Sequence, residues 1–140
     1  MKLGFIWLTL LVLGASASVS PQKPDPPGVV AAVAPVYPPI AAAAHATGIV
    51  NVDVKIDANG KVNSAHAVDG FPLLKAACEA AARRWKFLSA TDSNPVRIAR
   101  LTFTFREVED RAPEAERTPV FLPPYKIEVA GPKLLVQTVH

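Results

Sequence analysis

The stretch Pro72–Phe87, PLLKAACEAAARRWKF, decides the fold. Leu74, Ala77, Cys78, Ala81 and Trp85 recur at i, i+3, i+4, i+7 and i+11, the spacing that lines one stripe of an α-helix. Lys75, Glu79, Arg83 and Lys86 take the other side, with Glu79 four residues before Arg83, the favourable order for a helix pair. Gly70 breaks the chain just before, Pro72 suits the first helical position, and Asp69 is placed to accept from the first-turn amides. Four of the five stripe residues are small or medium in size, so the helix can lie close to what it covers. One helix covers about three strands, and three strand-like segments flank this one.

Upstream, Val50, Val52, Val54 and Ile56 alternate with Asn51, Asp53, Lys55 and Asp57, which predicts a strand with one buried and one wet face. Asp57-Ala58-Asn59-Gly60-Lys61 reads as a hairpin turn, with Asn-Gly supplying positive φ. Lys61–Val68 returns antiparallel. There Val62, His66 and Val68 share a parity with Ser64, so a bulge is expected. Downstream, Leu88–Asn94 is a polar loop, and Pro95 opens the third strand. Ala99, Leu101, Phe103 and Phe105 form its buried parity; Arg100, Thr102, Thr104 and Arg106 form its exposed one. The expected fold class is α+β: a three-stranded antiparallel sheet with one helix on one face, in the order β-β-α-β. Tyr125–Val129 and Lys133–Val139, separated by Gly131-Pro132, suggest a further C-terminal hairpin, and Glu107–Arg117 a charged mobile link.

The ends of the chain bound its class. Lys2, the apolar run Leu3–Leu13 and the small-residue triplet Ala15-Ser16-Ala17 have the form of a cleaved export signal over residues 1–20. The alternative is an uncleaved anchor, since Leu3–Val19 is near the lower limit of about 17 residues for a membrane span. No cysteine follows the apolar run, so lipid attachment there is ruled out. Pro21–Pro39 holds seven of the 14 prolines, which excludes a helix or a central strand and gives a semi-rigid tether reaching at most ~60 Å. The expected division is signal 1–20, Pro-rich linker 21–36, folded domain 37–108 and charged linker with hairpin 109–140. Ile40–Thr47 reads as a short helix ended by Gly48. Loss of Lys2 with the signal leaves 14 basic against 12 acidic side chains, too mild a balance for a nucleic-acid partner.

Tyr37-Pro38-Pro39, Gly48-Ile49-Val50, Asp57-Ala58-Asn59-Gly60-Lys61-Val62, Leu74 with Ala76-Ala77, Arg83-Arg84-Trp85-Lys86-Phe87, Pro95-Val96 and Thr102-Phe103-Thr104-Phe105 occur in that order and spacing. Together they resemble the C-terminal domain of the TonB energy-transducer family over roughly Tyr37–Glu107. The resemblance implies a non-enzymatic periplasmic domain that binds outer-membrane transporters, adding the transporter's extended segment as a strand to its sheet edge. An exposed edge is a template for such addition. The third strand, with its far side expected unpaired, offers Arg97, Arg100, Thr102, Thr104 and Arg106, and Arg83 and Arg84 form a basic rim. Two features depart from the family pattern. Ala42 stands where an arginine often follows the Tyr-Pro start, and the ~60 Å spacer is short for an arm that crosses the periplasm. A stand-alone exported binding domain is therefore the first expectation. A short membrane-anchored transducer and an edge-mediated homodimer are the alternatives.

No cofactor and no metal site is expected. His45, His66 and His140 lack metal-ligand spacing. Cys78, the only cysteine, cannot form an internal disulfide; a thiol–imidazole pair with His66 is the one nucleophilic arrangement to weigh, and the apolar stripe argues against it. Trp85 and Phe87 are expected to plug the core. Asn59-Gly60 is a turn and not a phosphate loop.

Overall fold

Val50, Val52, Val54 and Ile56 turn one way along their strand and are fully buried, while Asn51, Asp53 and Lys55 face the other side. Everything else is arranged on that strand. The computed structural model describes residues 14, 26–91 and 96–133. In chain order its elements are β1 (Val29–Ala31), α1 (Pro39–Ala43), β2 (Gly48–Ile56), β3 (Val62–Ala67), α2 (Pro72–Arg83), β4 (Lys86–Phe87), β5 (Arg97–Val108), α3 (Glu114–Arg117), β6 (Val120–Leu122) and β7 (Lys126–Pro132). The proposed signal apart from Gly14, the second arm of the expected C-terminal hairpin beyond Lys133, and residues 92–94 of the Ser/Asp/Asn loop lie outside the described residues.

The α+β class and the β-β-α-β core hold, but among the described residues the sheet has five strands rather than three, in the order β3-β2-β5-β7-β6. β2 pairs antiparallel with β3 and β5. The expected bulge is present: Lys55 faces Ser64 while Ile56 faces Val62. The extra residue restores parity, so Val62, Ala65 and Ala67 are all buried. At the turn, Gly60 alone has positive φ (87°), not Asn59. Asp57 organises the turn instead, its Oδ1 accepting from the Asn59 and Lys61 amides at 2.9 Å. A Cβ on Gly60 would collide with the Phe87 carbonyl.

The helix begins at Pro72 as expected but stops at Arg83, and Lys86–Phe87 turn into a strand pairing with β1. Leu74, Cys78, Ala81 and Ala82 are buried on α2, and Trp85 closes its end at 1% exposure. Burying side chains such as Leu74, Leu101 and Phe103 contributes about 1.5–3 kcal/mol each. Asp69 does not cap α2. Its carboxylate accepts from the backbone and side-chain nitrogens of Asn51, which pins the end of β3 to β2.

Three expectations about the flanks are corrected. The Pro-rich segment is not a plain tether beyond Pro27. Val29, Ala32, Val33, Ala34 and Tyr37 pack against the core, Trp85 Nε1 donates to the Val33 carbonyl at 2.9 Å, and Tyr37 stands edge-on to Phe105. Proline forbids helix here but leaves an extended run whose Val and Ala side chains can still be buried. Nor is the tail a hairpin turning at Gly131-Pro132. β7 runs straight through those residues, and the turn lies at Pro123–Tyr125, leading back from β6. The charged link is ordered too: Ala112 is buried, and Arg106 Nη2 donates to the Glu116 carbonyl at 2.8 Å.

Candidate functional site

The expected site was the outer margin of β5. The Thr102 amide donates to the Tyr125 carbonyl at 2.9 Å, and β7 then runs parallel to β5 from Thr102↔Lys126 to Val108↔Pro132. The far side of this strand is therefore not unpaired along Thr102, Thr104 and Arg106, and that expectation is corrected. The closing strand is part of the core. Ile127 and Val129 are each 3% exposed, Gly131 lies directly beneath the Tyr37 ring, and Tyr125 Oη donates to the Pro27 carbonyl at 2.6 Å.

β7 starts too late to cover the whole margin. Backbone groups alternate in direction along a strand, so Ile98 and Arg100 point the same way as Thr102. Among the described residues neither has a backbone partner on that side. Ile98 is 67% exposed. Arg97 and Arg100 lie in this open half. The Arg97 guanidinium donates through Nη2 to the Asp57 carbonyl at 3.1 Å, while its buried Nε has no acceptor among the described residues.

The exposed face of β5 carries an ordered polar ladder. Arg100 donates to both Asp53 carboxylate oxygens, at 2.7 and 3.0 Å. That hydrogen bond holds the Asp53 carboxyl below its ordinary range and raises the guanidinium in turn. Thr102 Oγ1 donates to Asn51 at 2.8 Å, and Asn51 to Asp69, whose carboxyl is lowered by those bonds. The Arg100 side chain is thus already engaged, and what it leaves open at the margin is backbone.

The other margins are guarded differently. At β3 the Ala67 amide is taken by Glu79 Oε1 of α2 at 3.1 Å, and Lys61 bridges to Lys86. At the opposite edge β6 is three residues long.

Arg83 and Arg84 stand apart from the β5 margin. They lie at the end of α2, on the rim of a groove of about 590 Å³ lined by Val30, Asn59–Lys61 and Trp85–Phe87. The groove shares one end of the sheet with Arg97, because both adjoin the Asp57–Lys61 turn. The sequence sets these arginines beside the β5 margin; the fold sets them instead on this groove, together with Lys61, Lys86 and Val30. The pairing of β1 with β4 that builds one wall has no local signal in so short a pair of segments.

The thiol–imidazole pair does not form. Cys78 is buried on the inner face of α2, and loss of solvation, with Glu79 nearby, pushes its thiol up to about 12. His66 faces Asp53 on the opposite, exposed face of the sheet. His45 instead pairs with Glu107 at 2.7 Å. Among the described residues no three His, Cys, Asp or Glu side chains cluster as metal ligands, and no helix is long and apolar enough to cross a membrane.

No curated protein matches the chain. Residues 33–106 match the model of the Gram-negative bacterial TonB protein C-terminal family, a span that takes in the last residues of the docked extended segment, α2 and most of β5 but leaves out β1, β6 and β7. With more than half its length matched, the chain belongs to the TonB C-terminal family, a module of the Gram-negative cell envelope.

Proposed function

We propose that this protein is a non-enzymatic, exported periplasmic module. It engages an extended peptide of an envelope partner, of the outer-membrane transporter type, by strand addition at Arg97–Leu101. The observation that carries this reading is the half-open margin of β5: the outward backbone of Ile98 and Arg100 has no strand beside it among the described residues, while the neighbouring half is filled by β7. A guest strand would lie in line with β7, gaining backbone hydrogen bonds from β5 and selectivity from alternate side chains. Docking of Pro27–Tyr37 on the sheet supports a binding module over a force-transmitting arm, since those residues are withdrawn from any tether's reach.

The test is a photoreactive side chain placed at position 98 of the exported protein in whole cells. It should capture a transporter's extended segment, and the same group at position 104 should not. Ile98→Pro, which removes an outward donor not used within the sheet, should abolish co-purification of that transporter while the circular dichroism spectrum stays native. Undiminished co-purification with the folded variant overturns the site.

A second reading has its own observation. Among the described residues β6 has no strand on its outer side, and its Val120, Phe121 and Leu122 are uncharged and about 40% exposed, with no charge of their own to deter pairing with another copy. Sedimentation over a concentration series decides it: dimerisation that Phe121→Lys removes supports self-association, and a monomer throughout rejects it.

A further inference from the structure

The groove at the end of α2 is not used by the strand-addition reading, and its composition is one-sided. Lys61, Arg83, Arg84 and Lys86 surround it. Among the described residues the one ion pair these four make is Arg83 with Glu79, at 3.9 Å; Lys61, Arg84 and Lys86 form none there. Four cations brought together by a hairpin turn, a helix end and a short strand repel one another, and an anionic occupant relieves that repulsion.

The shape narrows the class of occupant. The site is concave and of the size, about 300–1,000 Å³, that holds a small ligand or a few residues of peptide. Its apolar lining includes Val30, 61% exposed, and Leu88, 59% exposed, sits beside Gly28 on the same ribbon. A lone inorganic anion would leave Val30 in water, and a flat membrane surface would not enter a concavity. Guanidinium forks match planar carboxylates in a bidentate way.

We propose that this groove binds a carboxylate-rich peptide segment, its acidic side chains held by Lys61, Arg83, Arg84 and Lys86 and its intervening apolar side chains set against Val30. The site is separate from the β5 margin and stands whether or not a strand adds there.

The test uses the full exported chain and a short fluorescein-labelled peptide alternating Glu with Val, followed by fluorescence anisotropy. The peptide should bind at low salt and weaken as salt rises. Arg84→Glu combined with Lys86→Glu should raise its Kd roughly tenfold or more. Lys61→Gln, an exposed change that leaves the fold in place, should raise it by a smaller factor. Ile98→Pro should leave it unchanged, which separates this site from the strand-addition site. Three results overturn the proposal: equal binding of a Gln/Val peptide, equal binding by the charge-reversed protein with a native circular dichroism spectrum, or retention of polyphosphate or phosphatidylglycerol vesicles through these residues while the Glu/Val peptide stays unbound.

Discussion

The two halves of β5 share one strand and the same alternation, yet they end in different states. Along Thr102–Val108 a parallel partner satisfies the outer backbone and contributes Ile127 and Val129 to the core. Along Arg97–Leu101 the same kind of backbone meets no strand among the described residues, and its outward side chains are Ile98 and an arginine already paired across the sheet. The difference teaches that the identity of a strand's residues does not make it an edge; where the neighbouring strand begins does. β7 begins at Lys126, so the boundary between the closed and open halves falls at Thr102.

The comparison can be broken most forcefully from the closed side. Ile127→Ala should lower unfolding stability by about 2–5 kcal/mol in urea denaturation, because it leaves a cavity under β5. If β7 were only laid against the sheet, the loss would be near zero. Thr102→Pro comes next. It removes the bond to the Tyr125 carbonyl and should cost about 1–3 kcal/mol, whereas Ile98→Pro should stay within about 1 kcal/mol of the parent. Equal losses would erase the distinction between the halves.

Cys78 gives an independent check on the core. With its thiol near 12 and buried, it should resist alkylation at pH 8 in the native protein and react fully in urea. The smallest expected effect lies in the polar ladder. Asp53 and Asp69 have carboxyls lowered in the folded state, so their contribution is present above their ordinary value of 3.8 and is lost as pH falls through the lowered folded values. Asp53→Asn should therefore change stability slightly at pH 7, less at high salt, and not at all once the native carboxyl is protonated.

Much of the central unit was legible because its signals are local. The Val50–Ile56 alternation, the Pro72 start and the Ala99–Phe105 parity each name a face without reference to anything distant. The parallel strand β7 was not legible. Parallel neighbours are joined by long crossovers and leave no turn signature at the pairing itself, and Gly131-Pro132 imitated a turn while sitting within the strand. The docked Pro27–Tyr37 segment was hidden for the opposite reason: proline content announces what a chain cannot form and is silent about what its other side chains touch. Of the candidate site residues, Arg97 and Arg100 fall on the half of β5 with no strand beside it among the described residues, Thr102, Thr104 and Arg106 lie alongside β7, and Arg83 and Arg84 line a groove that only the folded chain assembles.

The clasp between Tyr125 and Pro27 has a mechanical consequence. With Val33 gripped by Trp85 a few residues further on, traction applied to the amino-terminal side would not unravel a loose leader. It would load β7 and the end of α2 together, so a strand of the sheet and the helix that covers it would share the same pull.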